Sequence, residues 1–367
     1  MSLHFIFGRA GTGKTTRCCR EIQDYLKKTP GGRAYLLVPD QGTYTAEYLL
    51  AKSFPGAGFI DVTVCGFSRL AYRVFQELHS PVADALSPLG QQIILRRLLN
   101  AHKDELQVIL RAASQPHFSE KLTAFFHQLD MFLVTEDDLL AASKREGETP
   151  LGKKLADLSL LYKAYHDYLR MHFAYEGSLF DLLAREIPKS KKLRGSHIWI
   201  DGFNGMAPQK IRIVSALVHT AEEVTMTLQM DSPEEAAENP NFARPYQLYS
   251  QMQGAIRHSS SIVLTEEKRF RTSDLSLMAR HFFERHARPR PEDGRVKEGL
   301  HLITAESPKE EVDLISRTIT SLVRDKGLRY RDILVLSRTP ENYSDLFTRS
   351  FATYGIPGFI DEKHPMN

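Results

Sequence analysis

The sequence predicts an α/β protein: a parallel sheet interrupted by an inserted all-helical subdomain and followed by the start of a second α/β lobe. Three observations predict this class. Short apolar runs alternate with helical stretches near the amino terminus, a long region of purely helical periodicity follows, and the alternation then returns. Such alternation is typical of βαβ units, whose strands pair in parallel.

The amino-terminal region contains three apolar runs with the length of buried strands, each followed by a helical stretch. The runs are residues 3–7, 33–38 and 60–64, and the helical stretches are residues 15–28, 43–52 and 67–78. From there to about residue 185 almost all periodicity is helical, most clearly at 91–101, 121–133 and 155–172. Tyr162, Tyr165 and Tyr168 recur at helical spacing, which favours core packing over a platform for stacked bases.

Strand patterns return in the carboxyl-terminal half of the chain. They lie at residues 197–200, 223–229, 262–264, 300–305 and 331–337, with a helical stretch at 309–326. A basic run, Arg285, Arg288, Arg290 and Arg295, is more typical of a solvated surface or linker than of phosphate contact. Four segments are therefore predicted: a first α/β domain at 1–85 and 195–235, a helical insertion at 86–194, a connecting region at 236–299, and a truncated second lobe at 300–367.

A glycine-rich loop after the first strand carries the clearest chemistry. Its residues, Gly8, Arg9, Ala10, Gly11, Thr12, Gly13, Lys14 and Thr15, form the P-loop pattern G-x-x-x-x-G-K-T. The backbone N–H groups of such a loop face phosphates, and the next helix adds positive potential. The pattern predicts that Lys14 contacts the β- and γ-phosphates and that the Thr15 hydroxyl binds Mg²⁺. ATP and Mg²⁺ are the expected cofactors.

Asp201 ends the strand pattern at 197–200 and is expected to hold the same Mg²⁺ through water. ATP-hydrolysing motors usually follow this aspartate with a glutamate that positions the attacking water, but here the next residue is Gly202. Loss of a positioned base slows such a step by roughly two to four orders of magnitude. The sequence therefore supports nucleotide binding better than hydrolysis, and Gly202→Glu is expected to raise ATP turnover if the second lobe is folded.

Bulk composition excludes several classes of protein. The net charge of +3 and the pI of about 8.6 permit a nucleic-acid partner without arguing for one. Cys18, Cys19 and Cys65 have no C-x-x-C spacing, which predicts a reduced chain without structural zinc or a cysteine-bound cluster of its own. No apolar run reaches about 18 residues and no signal-peptide pattern opens the chain, so a cytoplasmic protein without membrane contact is expected.

The layout resembles that of superfamily 1 helicases, which combine RecA-like lobes with a helical insertion before the aspartate strand. The tail strengthens the resemblance, because residues 332–339 (DILVLSRT) place Arg338 after a strand pattern and Gly355-Ile356-Pro357 follows. In that family the matching arginine reaches the γ-phosphate from the second lobe. The resemblance implies this role for Arg338.

More specifically, the chain resembles the B-subunit (AddB-like) family of AddAB/RecBCD-type ATP-dependent helicase/nucleases. The residues that carry this resemblance are Val38-Pro39-Asp40-Gln41 with Thr43 and Glu47, residues 64–71 (VCGFSRLA), and Ile200-Asp201-Gly202-Phe203 with Pro208 and Gln209. Asp-Gly in place of Asp-Glu is a feature of that family. The resemblance covers the whole chain but only the amino-terminal portion of such a protein.

The resemblance implies a heterodimer with an AddA-like helicase/nuclease that processes double-strand DNA ends for recombinational repair. It also implies helicase-like lobes that no longer translocate but bind single-stranded DNA and scan it for the Chi sequence. A nuclease domain with a 4Fe-4S cluster belongs to the carboxyl-terminal part of full-length relatives. Neither is assigned to residues of this chain.

In RecA-like lobes, single-stranded DNA crosses the loops at the carboxyl ends of the strands. The candidate contacts are Gln41 and Thr43 after the second strand, Phe67, Arg69 and Tyr72 after the third, and Phe203 and Met206 after Asp201. This mixture of hydrogen-bonding, aromatic and cationic groups suits a single strand. Phe67 and Tyr72 equally suit the core face of a helix.

The alternative function is a nucleoside or small-molecule kinase built on the P-loop. A kinase explains Lys14, Thr15 and Asp201 but not the helical insertion or the second lobe with Arg338. It also needs clustered arginines over the phosphates, and the only candidate, the basic run at 285–295, lies far downstream.

Overall fold

The structure is a computed structural model and describes residues 2–54, 61–80, 87–113, 115, 117–173, 179–256, 258–270, 272–281 and 299–361. The chain forms two compact units, residues 1–271 with 279–287, and residues 272–278 with 288–367. The α/β class is confirmed. Among the described residues, the sheet is six-stranded and every pair of neighbouring strands is parallel.

The strands of this sheet belong to the first unit. They are β1 (Ser2–Gly8), β2 (Ala34–Leu37), β3 (Val62–Cys65), β4 (His197–Ile200), β5 (Glu223–Leu228) and β6 (Ser259–Leu264), in the spatial order β3-β2-β4-β5-β1-β6. Because β1 lies between β5 and β6, its carboxyl end is flanked by the ends of both strands. β4 places Asp201 one strand further along the same edge.

Helices cover the sheet of the first unit and fill the chain between β3 and β4. The described helices are α1 (Lys14–Lys28), α2 (Thr43–Ser53), α3 (Phe67–Leu78), α4 (Pro88–Ala101), α5 (Leu110–Ala113), α6 (Phe118–Met131), α7 (Glu136–Glu146), α8 (Pro150–Phe173), α9 (Leu179–Glu186), α10 (Pro208–Thr220), α11 (Pro233–Glu238), α12 (Ala243–Ala255), α13 (Ser273–His281), α14 (Pro308–Lys326) and α15 (Ser344–Tyr354). Of these, α14 and α15 belong to the second unit.

The inner strands β1, β2, β4 and β5 are largely buried because both faces of the sheet are covered there, whereas the edge strand β6 is largely exposed. Phe5 and Phe7 face one layer of helices, built from α3, α9, α10 and α12, whereas Ile6 faces the layer of α1 and α2. Leu36 of β2 and Trp199 of β4 lie on the same side as Ile6. The two layers fix the strands in register and so hold their carboxyl ends at one edge.

The helical region between β3 and β4 has a hydrophobic cluster of its own, formed mainly by α4, α6, α7 and α8. Tyr162 and Tyr165 are 3% and 5% exposed within it, which confirms the prediction of core packing. Buried Asp157 accepts backbone N–H groups from Gln107, Val108 and Ile109 at 2.8–3.1 Å. This carboxylate caps an irregular turn that would otherwise leave amide donors unpaired. The predicted domain boundaries remain predictions.

The second unit differs from the sequence prediction. Residues 300–305 and 331–337 were expected to be strands, but neither segment pairs with a strand within the described part of the chain. Leu302, Leu334 and Leu336 are 94%, 79% and 84% exposed. A β-pattern becomes a strand only where a neighbouring backbone accepts its ladder hydrogen bonds, and here the packed elements are helices α14 and α15, which bury Val312, Ile319 and Phe347.

Two predictions fall outside the described residues: the basic run Arg285, Arg288, Arg290 and Arg295, and Ile60 at the start of the third strand pattern. Within the described residues, no helix combines the length and the apolar character that crossing a membrane requires.

Candidate nucleotide site and the adjoining sheet edge

The P-loop connects β1 to α1 at the centre of the carboxyl edge. Gly13 precedes the first turn of α1 and has φ 88°, a left-handed conformation that residues with a Cβ adopt at a cost. Within the described residues, no side chain caps the amino end of α1. Its first N–H groups and its positive potential are therefore directed at the space above the loop, where an anion would bind.

The Lys14 ammonium folds back over this loop. Its Nζ donates hydrogen bonds to the Gly8 carbonyl oxygen at 2.6 Å and to the Arg9 carbonyl oxygen at 2.9 Å. Burial lowers the pKa of Lys14 from 10.5 to about 8, although the nearby Asp201 carboxylate opposes the change and Arg269 adds to it. A partly desolvated ammonium of this kind gains strongly from an incoming phosphate.

Asp201 lies directly opposite the start of α1 and is only 6% exposed. The Thr15 hydroxyl donates to its Oδ2 at 2.7 Å, and the Thr227 hydroxyl of β5 donates to its Oδ1. Hydroxyl and carboxylate oxygens are ligands that suit Mg²⁺, which usually keeps phosphate oxygens and waters as its remaining ligands. Thr15 and Asp201 therefore fit the predicted metal site.

Gly202 follows Asp201 with φ 82°, again in the left-handed region. A Cβ built on this residue lies 3.4 Å from the Pro39 Cδ. This geometry changes what we expect of Gly202→Glu, because a glutamate needs a strained backbone before its carboxylate can be placed. The residue after Asp201 therefore lacks a carboxylate and also has a backbone conformation that disfavours any residue with a Cβ.

A cavity of about 430 Å³ lies over the P-loop. It is lined by Ala10, Gly11, Gly13, Lys14, Thr15 and Thr16, by Leu49, by Asp201 to Asn204 after β4, by Thr227 and Gln229 of the β5 region, and by Lys268 and Arg269. Asp201 is the only carboxylate residue in this lining, counted over the described residues. The walls therefore carry more positive than negative charge.

The segment after β6 contributes the two additional cations. The backbone N–H of Lys268 donates to the Gly11 carbonyl oxygen at 2.9 Å, which holds the segment against the P-loop. The Arg269 side chain begins beside Gly11, where a built Cβ would lie 3.0 Å from the Arg269 Cβ. Lys268 and Arg269 thus face the same cavity as Lys14.

Arg9 is the P-loop residue whose side chain leaves the site. Its guanidinium donates to both carboxylate oxygens of Asp231 at 2.6 Å and to the Arg280 carbonyl oxygen at 2.8 Å. Its Cζ lies 5.5 Å from the centre of the Phe242 ring. The side chain therefore anchors the loop from behind, while the Arg9 backbone carbonyl accepts from Lys14.

The predicted DNA contacts divide into exposed and buried residues. Gln41, Arg69 and Tyr72 are exposed at or near the carboxyl ends of β2 and β3, and Thr43 and Met206 are half-buried. Phe67 and Phe203 are 3% and 9% exposed, and their ring centroids lie 5.5 Å apart. These two rings pack in the core, so in this conformation only a small part of either is open to a base.

Arg338 and the cysteines complete the set of predicted residues. Arg338 is exposed and belongs to the second unit, so its role at the γ-phosphate stays a prediction. Cys18, Cys19 and Cys65 are buried free thiols. Burial raises the pKa of Cys19 and Cys65 to about 11, which keeps both thiols protonated and unreactive at neutral pH.

A family model described as "ADDB, N-terminal" matches residues 5–279. The chain belongs to this AddB N-terminal family. The resemblance found in the sequence is thereby confirmed, and the match covers the P-loop, Asp201 and the helical region.

Relatives agree with the family match over the full chain. The B subunit of the ATP-dependent helicase/deoxyribonuclease of Pelotomaculum thermopropionicum is 36% identical over 380 residues, which cover 100% of this chain and 33% of the relative. Proteins with the same name from Bacillus subtilis (strain 168) and Geobacillus kaustophilus are each 34% identical, again over 100% of this chain and over 32% and 33% of their own. The chain spans about a third of the length of the curated relatives it matches.

The sequence analysis missed several residues that line the cavity in this member of the AddB N-terminal family, among them Thr227, Gln229, Lys268 and Arg269. Thr227 had a readable signal, since a hydroxyl in a buried apolar strand needs a partner. No signal in the sequence indicated Lys268 and Arg269, because their position depends on how the segment after β6 crosses the P-loop. Asp231 was missed for the same reason.

Proposed function

We propose that this chain is the ATP- and single-stranded-DNA-binding part of one member of a heterodimeric ATP-dependent helicase/exonuclease, and that its lobes do not act as a motor. The observation that carries the proposal is the nucleotide cavity, in which Lys14, Thr15 and Asp201 stand together while Gly202 occupies the position of the water-positioning glutamate. The groups that would bind phosphate are present while the carboxylate that would position water is absent, so the cavity supports nucleotide binding without hydrolysis.

Nucleotide binding would use groups that are already in place. The amino end of α1 and the loop N–H groups would receive the phosphates, and Lys14 would exchange its two carbonyl acceptors for phosphate oxygens. Thr15 and Asp201 would hold Mg²⁺, which would neutralise phosphate charge when bound. Lys268 and Arg269 add positive charge to the same cavity, where it favours a triphosphate over a less charged ligand.

Hydrolysis has little support from the cavity. Among the described lining residues, the single carboxylate is Asp201, and both of its oxygens already accept hydroxyl donors. A carboxylate so engaged is poorly placed to activate water as well as to hold Mg²⁺. We infer that ATP occupancy changes the state of the protein more than it drives turnover.

The wider role rests on the relatives, each of which is named as the B subunit of an ATP-dependent helicase/deoxyribonuclease. Such a name implies a partner, and we propose an AddA-like helicase/nuclease that works with this chain on double-strand DNA ends. Scanning of the single strand for Chi, together with a nuclease domain and a 4Fe-4S cluster in a longer form of the protein, belongs to the same proposal. The kinase alternative gains nothing from the family match.

The proposal is tested by measuring fluorescent ATP binding, single-stranded oligonucleotide binding and phosphate release on one preparation. We expect Mg²⁺-dependent nucleotide binding, binding of single-stranded DNA at low salt, and ATP turnover far below that of an active motor. Tight nucleotide binding without DNA affinity would refute the DNA part. Turnover equal to that of an active motor would refute the inference drawn from Gly202.

A further inference from the structure

A row of side chains on the outer face of α2 has no role in the site described above. Tyr44, Tyr48 and Lys52 are spaced four residues apart and therefore share one face of the helix. The buried residues of α2, Ala46 and Leu50, lie on the opposite side. Tyr44 and Tyr48 are 78% and 51% exposed. We call Tyr44, Tyr48 and Lys52 the tyrosine row.

The members of the tyrosine row are stacked on one another. The rings of Tyr44 and Tyr48 are nearly parallel, with an interplanar angle of 13° and centroids 6.5 Å apart. The Lys52 Nζ lies 4.4 Å from the centre of the Tyr48 ring. The row thus presents two aligned aromatic faces followed by a cation, over about 12 Å of helix.

A groove of about 320 Å³ runs beside the tyrosine row, between α1 and α2. It is lined by Thr15, Thr16, Cys19, Arg20, Gln23, Leu49, Lys52 and Ser53. This lining contains two cations and, over the described residues, no carboxylate. In the described part of the chain Arg20 and Lys52 form no ion pair, and Lys52 contacts only the face of the Tyr48 ring with its Nζ, so both charges are available to an anion.

The position of α2 joins this surface to the predicted DNA edge. The helix begins at Thr43, directly after the turn Asp40–Gly42 that follows β2, so Tyr44 lies in the turn next to Gln41 and Thr43. The tyrosine row then leads away from the edge along the helix. A single strand of DNA that contacts Gln41 and Thr43 would reach Tyr44 next.

We propose that the tyrosine row and the α1–α2 groove form an additional binding surface for single-stranded DNA. Bases stack on Tyr44 and Tyr48, while Arg20 and Lys52 contact the phosphates that pass along the groove. Stacking faces beside a cationic channel are the two features that sequence-independent single-strand binding requires. This inference rests on the single-strand binding proposed above and extends it to residues beyond the sheet edge.

The chemistry of the groove favours nucleic acid over a protein partner. A protein interface buries an apolar centre and is depleted of lysine. Here the groove is lined mainly by hydroxyl, amide and cationic groups, with Leu49 as its one large aliphatic side chain among the described residues. Two cations in a groove whose described lining contains no carboxylate match the uniform negative charge of a phosphate backbone.

The first test measures oligothymidine binding by fluorescence anisotropy with the Tyr44→Ala/Tyr48→Ala double variant. Loss of base stacking is worth about 1–3 kcal/mol per base, so we expect affinity to fall about 5- to 150-fold for each ring that carries a base. Tyr44→Phe/Tyr48→Phe keeps the aromatic faces and should bind like the wild type. Phe132→Ala removes an aromatic ring that is 59% exposed on the helical region and should also leave affinity unchanged.

The second test addresses the groove. Each phosphate contact on a single strand contributes about 0.7 to the slope of log affinity against log salt, so Arg20→Ala/Lys52→Ala should reduce that slope by about 1.4. Irradiation of the complex with 5-iododeoxyuridine oligonucleotides should give crosslinks at Tyr44 or Tyr48. Fluorescent ATP binding should stay unchanged in all four variants, which shows that the P-loop domain is folded.

The outcomes separate this inference from the proposed function. If the Tyr44/Tyr48 double variant binds DNA like the wild type while Arg69→Ala weakens binding, the tyrosine row is refuted as a DNA surface and the proposed function stands. If the wild type binds no single-stranded DNA at low salt, both are refuted. If the alanine variants lose nucleotide affinity instead of DNA affinity, the tyrosine row serves the nucleotide site and this inference is wrong.

Discussion

The two halves of the carboxyl edge of the sheet differ in how far their polar groups are already paired. On the nucleotide side, Lys14, Asp201 and Arg9 each make several hydrogen bonds to the protein. On the β2–β3 side, Gln41, Arg69 and Tyr72 are exposed. One half is organised before any ligand arrives, whereas the other offers its groups to solvent.

The difference agrees with the kind of ligand that we propose for each half. A triphosphate in a cavity needs charges at fixed positions, and buried charges are tolerated only when they are hydrogen-bonded. A DNA strand is long and is bound by many weak contacts, so exposed side chains on a surface suffice. The nucleotide half should therefore respond sharply to single substitutions, and the DNA half gradually.

The largest effect should come from substituting one residue in each half and measuring both nucleotide affinity and DNA affinity for each variant. Lys14→Ala is expected to weaken Mg²⁺-ATP binding by at least about 100-fold, because contacts of a charged donor are worth about 1.5–3 kcal/mol each. The same variant should change single-strand affinity less than about threefold. Fluorescent nucleotide titration and oligonucleotide anisotropy measure the two affinities.

Arg69→Ala is the matched variant for the DNA half. It should leave nucleotide affinity intact and lower DNA affinity by only about three- to tenfold, since one exposed phosphate contact among several is lost. Equal losses of both affinities in either variant would show that the two halves are not independent.

The pH dependence of nucleotide binding should reveal Lys14. Its pKa is lowered to about 8 by burial, and bound phosphates would raise it by favouring the charged form. Below about pH 8 Lys14 is already protonated and adds no pH dependence; above it, binding must recover a proton, so affinity should fall by up to about tenfold per pH unit. The affinity for single-stranded DNA should show no change centred at about pH 8.

Nucleotide titrations between about pH 7 and about pH 10 measure this effect. Lys14→Arg provides the control, because a guanidinium stays protonated throughout that range. A wild-type profile as flat as that of the arginine variant would contradict the role given to Lys14.

A smaller effect is expected from Arg9, which supports the P-loop without entering the cavity. Arg9→Ala removes the paired contact with Asp231, and we expect a loss of about 1–2 kcal/mol in the free energy of unfolding and about tenfold in nucleotide affinity. DNA affinity should be unchanged. Urea unfolding and nucleotide titration are the measurements.

Arg9→Lys tests the geometry of that contact. It keeps the charge but lacks the planar fork, so it should recover only part of the lost stability. If Arg9→Ala leaves nucleotide affinity at the wild-type value, the anchoring of the loop has no bearing on the site.

The smallest effect concerns Gly202. Because Gly202 has φ 82°, any residue with a Cβ should cost about 1–2 kcal/mol of stability there, and Gly202→Glu should not raise ATP turnover. Gly202→Ala separates the backbone strain from the added carboxylate. A Gly202→Glu variant that hydrolyses ATP faster than both the wild type and Gly202→Ala would show that the loop adapts easily.

The sequence predicted which residues the structure brings together at the P-loop because a P-loop is a local pattern. The strand, the glycines, Lys14 and Thr15 are contiguous, and the short distance from the Thr15 hydroxyl to Asp201 follows once both strands lie in one parallel sheet. Lys268 and Arg269 depend on the path of the chain after β6, which no local pattern encodes. The alternation of strands and helices along the first unit was predictable, whereas the contacts made by its loops were not.

The strand predictions failed where pairing, rather than propensity, decides the structure. Residues 331–337 have the composition of a buried strand, yet Leu334 and Leu336 are exposed and unpaired within the described chain. Phe67 and Phe203 pack in the core, and their DNA contacts stay predictions, because an aromatic ring at a strand end serves a core as readily as a ligand. A sequence does not distinguish those two uses.

The left-handed backbone at Gly202 also bears on how the chain can change by mutation. Glycine and glutamate codons can differ by a single base, so one mutation can place a glutamate after Asp201. Because the loop disfavours a Cβ at this position, such a mutant would be destabilised before it gained any catalytic advantage. A stable Asp-Glu pair would require the loop to change as well, so the conformation of one residue separates the present chain from that pair by more than one mutation.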